Sequence, residues 1–430
     1  MNQHHDAVTG TAKQHVTDDY ALRLHKGMEA CRSVMADGLK VDLGTSCDFS
    51  SHCPLLNISE CAFTESRERF SVLVYNPQAR LVSTFIRVPV TKAGRYLVTD
   101  AAGGPVRSQV VPLPEEIFHV PGRSSSARFE LVLEVHDLPG LGTRTYSVEG
   151  QKGREKSTIK QRVGQGGLVL ENDAGVRVEV GPTGGVVRIS AAGKDIHVKQ
   201  EFAYYEGAVG NNSKFEWRAS GAYIFRPTQQ AAQLVGEPQS AHFVKGELVQ
   251  EVHQRFSSWI SQVIRLYAGR SHLEMEWMVG PLPLREEDSP GVEVISRYTT
   301  DIDSGDLFAT DSNGRGMIKR QRDTRETWRL NLTEPVASNY YPVVSRMAVE
   351  ESNSVEVDRK AAWVMTDRAE GGASLQSGQM ELMLHRRLFN DDAFGVGEPL
   401  NETSYGRGLV ARGIHQLLLC TESCEVRAEL

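Results

Sequence analysis

The sequence predicts a mainly β protein, with a short helical lead followed by β-sandwich domains. Three observations carry that expectation. Residues 11–39 repeat apolar side chains every three or four positions, which is the period of a helix face. From about residue 68 the period drops to two, the signature of half-buried strands. Between the β-rich runs stand Asn-Pro, Ala-Gly and Ala-Gly-Gly, which punctuate turns.

In the helical lead, Val16, Tyr20, Leu24, Met28, Cys31 and Met35 line one face. Thr11 with Gln14 fits a capping box, and Gly38 is the expected stop. An amphipathic helix needs a surface for its apolar face. No second long helical pattern lies nearby, so the partner is expected in the sheet region or in sequence outside this chain.

RFSVLVYNP, STFIRVPV, RYLVTD, ARFELVLEVHDLPGLG and TRTYSV make a first all-β unit of sandwich size that ends near residue 150. EGQKGREKSTIKQRVGQGG is charged, rich in glycine and poor in apolar residues, and is expected to be a linker or loop. Beyond it, LVLENDAGVRVEV predicts a hairpin turning at Asn172–Gly175, followed by strands in GGVVRIS and KDIHVKQEFAYY. SSWISQVIRLY and HLEMEWMVG alternate further, with Leu273, Met275, Trp277 and Val279 on one face. Such strands build one very large sandwich or two stacked ones. The expected segments are 1–45, 46–150 and 151–430.

Composition narrows the function. At 430 residues the chain is expected to form two or three units. With 40% hydrophobic and 24% charged residues it has the composition of a globular protein with a substantial core. The net charge of -7, without a basic stripe, argues against nucleic-acid binding. No apolar run is long enough for a membrane helix, and the first residues lack the pattern of a signal peptide. Six cysteines and four glycosylation sequons, at Asn57, Asn211, Asn331 and Asn401, nevertheless point to a secretory route. Cys53 and Cys61 enclose Asn57, so a disulfide between them would present that sequon to solvent. The competing reading is reduced thiols and accidental sequons. The contradiction between secretory features and a missing leader leads to the expectation of further sequence upstream.

QHHDAVTGT, at residues 3–11, raises the question of a metal. Zinc takes three or four ligands, and consecutive His4, His5 and Asp6 can bring at most two to one ion. Three readings are open: a complete local site, a hydrogen-bonding role at the helix entry, or one ligand given to a site assembled elsewhere. There is no nucleophile-elbow serine, P-loop or CxxC pair. Carboxylate pairs occur at Asp391-Asp392 and Glu286-Glu287-Asp288, and both are expected to be solvated loop residues.

Read as a set, several stretches say more. QHHDAVTGTAKQHVTDDYA, VLVYNP, SGAYIFRP, IRLYAGRSHLEMEWMVGPLP, EVISRY, TDSNGR, LNLTEPVASNYYPV and ELMLHRRLFNDD together resemble glycoside hydrolase family 38, the α-mannosidases, in order over nearly the whole chain. The resemblance implies an N-terminal α/β catalytic barrel, a helical bundle and β-sandwiches, the last a large galactose-mutarotase-like supersandwich. This chain would begin inside the bundle and stop before the last β-domain ends, so both ends look cut. The implied activity is zinc-dependent, retaining removal of terminal α-mannose from N-glycan oligosaccharides in glycoprotein catabolism, in the lysosome or secretory pathway.

Carried over residue by residue, His5 would be one Zn2+ ligand, Asp6 would bind sugar hydroxyls, and Tyr223 would line the same pocket. The nucleophile, the acid/base carboxylate and the remaining zinc ligands match nothing here, so the chain alone is expected to be inactive. Cys53 and Cys61 match the family's small local disulfide, whereas Cys31 matches a cysteine that pairs with the absent catalytic half. A Cys31–Cys47 pair stays open, as does the pairing of Cys420 and Cys424. Phe394 stands where family members tend to carry arginine, in the loop after the Asp-Asp pair. The expected partners are a mannose-terminated oligosaccharide, the missing catalytic domain and a second copy of the chain. The alternatives are a stand-alone, non-catalytic carbohydrate-binding β-sandwich protein and the unstable product of an incomplete gene.

Overall fold

The computed structural model describes residues 5–43, 52–154, 159–283, 290–352 and 359–420. His4, Cys47, Cys424 and the Glu286-Glu287-Asp288 triplet lie outside them, as does the side chain of Cys420. The described chain is mainly β. It opens with a one-turn helix α1 (His5–Thr9) and a long helix α2 (Gln14–Leu43).

The helix differs from its sequence expectation at both ends. Thr11 does not cap α2: its hydroxyl turns back to Asp6 Oδ1 at 3.4 Å and meets the Thr9 hydroxyl at 2.8 Å. Gly38 does not stop the helix, which runs on to Leu43. A glycine terminates a helix when it adopts positive φ, and Gly38 is not among the residues that do. The apolar stripe is largely uncovered, with Leu24, Met28 and Met35 exposed.

The first β unit holds β1 (Arg69–Tyr75), β2 (Val82–Val90), β3 (Gly94–Asp100), β4 (Ser108–Pro112), β5 (Phe129–Leu138) and β6 (Thr143–Arg154). They form two three-stranded antiparallel sheets, ordered β1-β6-β3 and β2-β5-β4, over a core that includes Phe70, Val90, Leu131, Leu133 and Val148. In β5 the near-continuous burial has a simple cause: both faces are covered. Leu131 and Leu133 face the small core, while Val132 joins Val244, Val249 and Tyr267 of the next unit.

That next unit is a large sandwich of a nine-stranded and a ten-stranded sheet, counted among the described residues. The strand His272–Val279 shows the expected alternation, with Leu273, Met275, Trp277 and Val279 all buried. Leu273 and Met275 share one core with Val178, Ile196 and Leu382 from the facing sheet. A polar seam crosses this interior: Gln262 Nε2 donates to Gln200 Oε1 at 3.0 Å and to Gln254 Oε1 at 2.8 Å. The expected linker needs correction. Thr143–Arg154 extends into it, and Ile159–Arg162 is a strand paired with Ser240–Lys245 at the edge of the ten-stranded sheet. Its charges do not prevent pairing because an edge strand tolerates polar side chains.

The two β units meet over a buried charge network. Arg87 of β2 donates to Glu130 at 2.5 Å, to Glu251 at 2.7 Å and to the Tyr267 hydroxyl at 3.0 Å. Arg265 reaches the same Glu251 at 3.0 Å. Burial alone would raise the Glu251 pKa, but Arg87 and then Arg265 hold it well below the usual carboxylate range. Phe85 stacks on Tyr267 alongside, with ring centres 4.8 Å apart.

Candidate functional site

The candidate site is organised by a buried carboxylate. Asp392 is fully buried, and its Oδ2 accepts the backbone amides of Tyr223 at 2.6 Å and Ile224 at 3.0 Å. Its Oδ1 accepts the Phe394 amide at 3.2 Å. Asp391 holds its own loop, accepting amides from Ala393 at 3.0 Å and Gly397 at 3.1 Å. The expectation of a solvated pair is therefore corrected for Asp392. A buried carboxylate stays where amide donors replace its water, and this one has three.

The residues before Tyr223 fit that geometry closely. A Cβ at Gly221 would stand 2.8 Å from the Asp392 backbone nitrogen and Cβ, so only glycine lets the two loops touch. Arg386, on the strand Gln379–Leu388, donates to the carbonyls of Gly221 and Ile224, both at 2.8 Å, and to Glu293 at 2.6 and 2.8 Å. Burial pushes the Glu293 carboxyl up in spite of that arginine. Asn212 Nδ2 donates to the Asp391 carbonyl at 2.8 Å, which closes the 211–226 loop onto the 391–397 loop.

The same segment reaches the helices. Glu398 Oε2 accepts the Gln14 backbone amide, at the first turn of α2, at 2.9 Å. Thr403 N returns a hydrogen bond to Gln14 Oε1 at 3.0 Å. A carboxylate at a helix N-terminus is favoured by the exposed amides and the helix dipole. One continuous stretch, residues 391–403, thus carries both the Tyr223 backbone and the start of α2.

Each residue singled out in the sequence can now be placed. His5 opens α1, and its side chain lies outside the described residues. Asp6 is half-buried in α1 and receives the Thr11 hydroxyl. Tyr223 is 52% exposed beside Phe394, with ring centres 6.1 Å apart. Cys53 and Cys61 are joined in a disulfide, and Asn57 between them is exposed. Asn211 and Asn331 are exposed, whereas Asn401 is half-buried and its Oδ1 accepts Arg387 Nε at 2.9 Å. Cys31 is exposed and unbonded among the described residues.

Sequence reasoning missed Asp392 as an organiser, Glu398 as a helix partner, and the exposed rings of Phe215 and Trp217. The doublet in NDDAFGVGEP was the available signal, because glycines and an acid in one loop often mark amide-binding turns.

Among the described residues no group of three or more His, Cys, Asp or Glu is placed to hold a metal ion.

Residues 170–394 match the glycosyl hydrolases family 38 C-terminal domain, and residues 1–41 match the alpha mannosidase middle domain. The chain belongs to glycoside hydrolase family 38. It is 44% identical over 420 residues to the lysosomal alpha-mannosidase of Bos taurus, covering 97% of this chain and 39% of that protein. Against the lysosomal alpha-mannosidase of Homo sapiens it is 43% identical over 427 residues, covering 97% of this chain and 40% of that protein. The alpha-mannosidase of Canavalia ensiformis is 37% identical over 432 residues, covering 93% of this chain and 42% of that protein. The chain therefore spans about two fifths of the length of these relatives. No helix among the described residues is long and apolar enough to cross a membrane.

Proposed function

We propose that this chain is the bundle-edge and β-sandwich portion of a zinc-dependent, retaining exo-α-mannosidase. In that role it acts on N-glycan oligosaccharides during glycoprotein catabolism, in the lysosome or secretory pathway. The observation that carries the reading is the 391–403 stretch. It ties Tyr223 on one side and the helix that follows Asp6 on the other into a single assembly. That arrangement supports Asp6 and Tyr223 as two walls of one sugar pocket, with His5 giving one zinc ligand to a site whose other ligands lie outside the described residues.

Retaining hydrolysis requires two carboxyl groups about 5–5.5 Å apart, one as nucleophile and one as acid/base. Asp391 and Asp392 do not qualify, since Asp391 is committed to amides of its own loop and Asp392 to those of Tyr223 and Ile224. The chain is accordingly proposed to be inactive by itself, while its pocket wall orients the sugar and its loops exclude water.

The test is to read the transcript upstream of Met1 and to express both the extended protein and the 430-residue chain. The extended protein should hydrolyse an aryl α-mannoside, and His5→Ala should abolish its zinc retention. The short chain should do neither. Stoichiometric zinc bound at His5 in the short chain, or mannoside hydrolysis by it, overturns the proposal.

A further inference from the structure

The loops around Asp392 present four aromatic rings that the pocket described above does not use in full. Phe215 is 68% exposed, Tyr223 52%, Trp217 47% and Phe394 44%. Three of them, Phe215, Phe394 and Tyr223, are neighbours. Phe215 meets Phe394 edge-on, with ring centres 6.3 Å apart, and Phe394 lies 6.1 Å from Tyr223. Arg218 places its guanidinium 4.1 Å from the Phe394 ring centre while its Nη1 donates to the carbonyls of Asp392 at 2.9 Å and Ala393 at 2.5 Å. Lys214 stands 4.6 Å from the Trp217 ring centre. Each cation covers part of one face of its ring, and the rest of the ring is open to solvent.

From this we infer that Phe215, Trp217 and Phe394 form a stacking ledge for a pyranose ring of an oligosaccharide, next to Tyr223. The inference rests on the carbohydrate reading proposed above and extends it to a residue of the glycan beyond the terminal sugar. An aromatic face is electron-rich and apolar, so it suits the C–H face of a pyranose while hydroxyls point outward to polar groups. Those groups are present. In Lys214-Phe215-Glu216-Trp217-Arg218 a charge flanks each ring, and Glu216 is exposed.

A protein partner fits less well. Protein interface cores are depleted in lysine and glutamate, and a stable interface draws on roughly 20–30 residues a side. Four rings interleaved with charges are too few and too polar for that, yet about the size for one or two sugars.

The experiment uses the 430-residue chain made without glycosylation, so that no glycan on Asn211 can occupy the ledge. α-Linked mannotriose is the probe, followed by saturation-transfer NMR and titration. Binding is expected, and Phe215→Ala, Trp217→Ala and Phe394→Ala should each weaken it by roughly 2- to 10-fold. Melting should stay unchanged, because all three rings are exposed. No transfer to the probe, or transfer unaffected by all three substitutions, overturns the ledge. In an extended protein that hydrolyses mannosides, the same substitutions should raise KM for the oligosaccharide and leave an aryl mannoside alone. An unmoved KM there, or Trp217 shielded from a soluble quencher by the rest of that protein, sinks the ledge while the enzymatic reading stands. An extended protein without hydrolysis sinks that reading instead, and mannotriose binding by the short chain is then what still supports the ledge.

Discussion

Glu398 and Gln14 lie 384 residues apart in the sequence, and the carboxylate of the first accepts a 2.9 Å hydrogen bond from the backbone amide of the second. The long helix is therefore tied to the large sandwich at its first turn. Beyond that turn its apolar side chains are mostly uncovered, so this contact and the Thr403–Gln14 bond set where the helix starts. Glu398→Ala is expected to destabilise that turn by about 1 kcal/mol, the usual effect of losing a charged group at a helix N-terminus. Hydrogen exchange at residues 14–17 should speed up while the main melt stays in place. Unchanged exchange there would show that the contact does not hold the helix.

Asp392 is the second structural commitment. Replacing it with alanine leaves the amides of Tyr223, Ile224 and Phe394 without their acceptor. The expected cost is about 1–3 kcal/mol in urea unfolding, with Asp392→Asn smaller because one acceptor oxygen survives. A loss below about 0.5 kcal/mol would mean that water replaces the carboxylate easily.

The contact between the two β units should be sensitive to acid. The Glu251 pKa is depressed in the fold, so its contribution to stability is present above its unfolded value and is lost as pH falls through its folded value. Arg87→Met removes one of the two arginines that cause the depression. It should cost about 3 kcal/mol at neutral pH and shift acid unfolding to higher pH. Adding Glu251→Gln should restore part of the loss, because the orphaned charge goes with it. Acid unfolding at an unchanged midpoint in Arg87→Met would contradict this account.

Two histidines work in the same direction at milder pH. Burial, helped by Arg270 and Arg387 respectively, pulls the pKa of His272 and of His385 from 6.5 down to about 4. Both are neutral in the fold, so the unfolded chain takes up protons first. Stability should then be full above about 6.5 and fall as pH drops towards 4. His385→Gln is expected to flatten the dependence of Tm on pH between 7 and 5. An equally steep profile in that variant would remove His385 from the explanation.

The Cys53–Cys61 bond closes a loop around Asn57 at the foot of the small sandwich. Replacing both cysteines with serine should cost roughly 2–4 kcal/mol through the freedom returned to the unfolded chain. The measurement is a melt of the variant beside that of the parent protein with and without reductant. Three identical curves would show the loop to be held by other contacts, such as Arg123 donating to the carbonyls of Ile58 and Ser59.

By itself the sequence determined the elements. Alternation in His272–Val279 named the buried face, the Asn172–Gly175 turn marked the hairpin of Leu168–Glu171 with Arg177–Val180, and the three-to-four spacing in residues 16–35 announced α2. Such patterns are local: each residue's side is decided by a period of two or 3.6, within one strand or helix. The resemblance to family 38 also lay in short ordered stretches, and the family matches agree with it. What covers a face, and which loops meet, was decided only by tertiary structure. Nothing in the run of α2 tells that its stripe stays largely open, and nothing around Gln14 names Glu398. The acid doublet looked solvated because isolated carboxylates in loops are. It took the Tyr223 and Ile224 amides, 169 and 168 residues away, to make burial of Asp392 favourable.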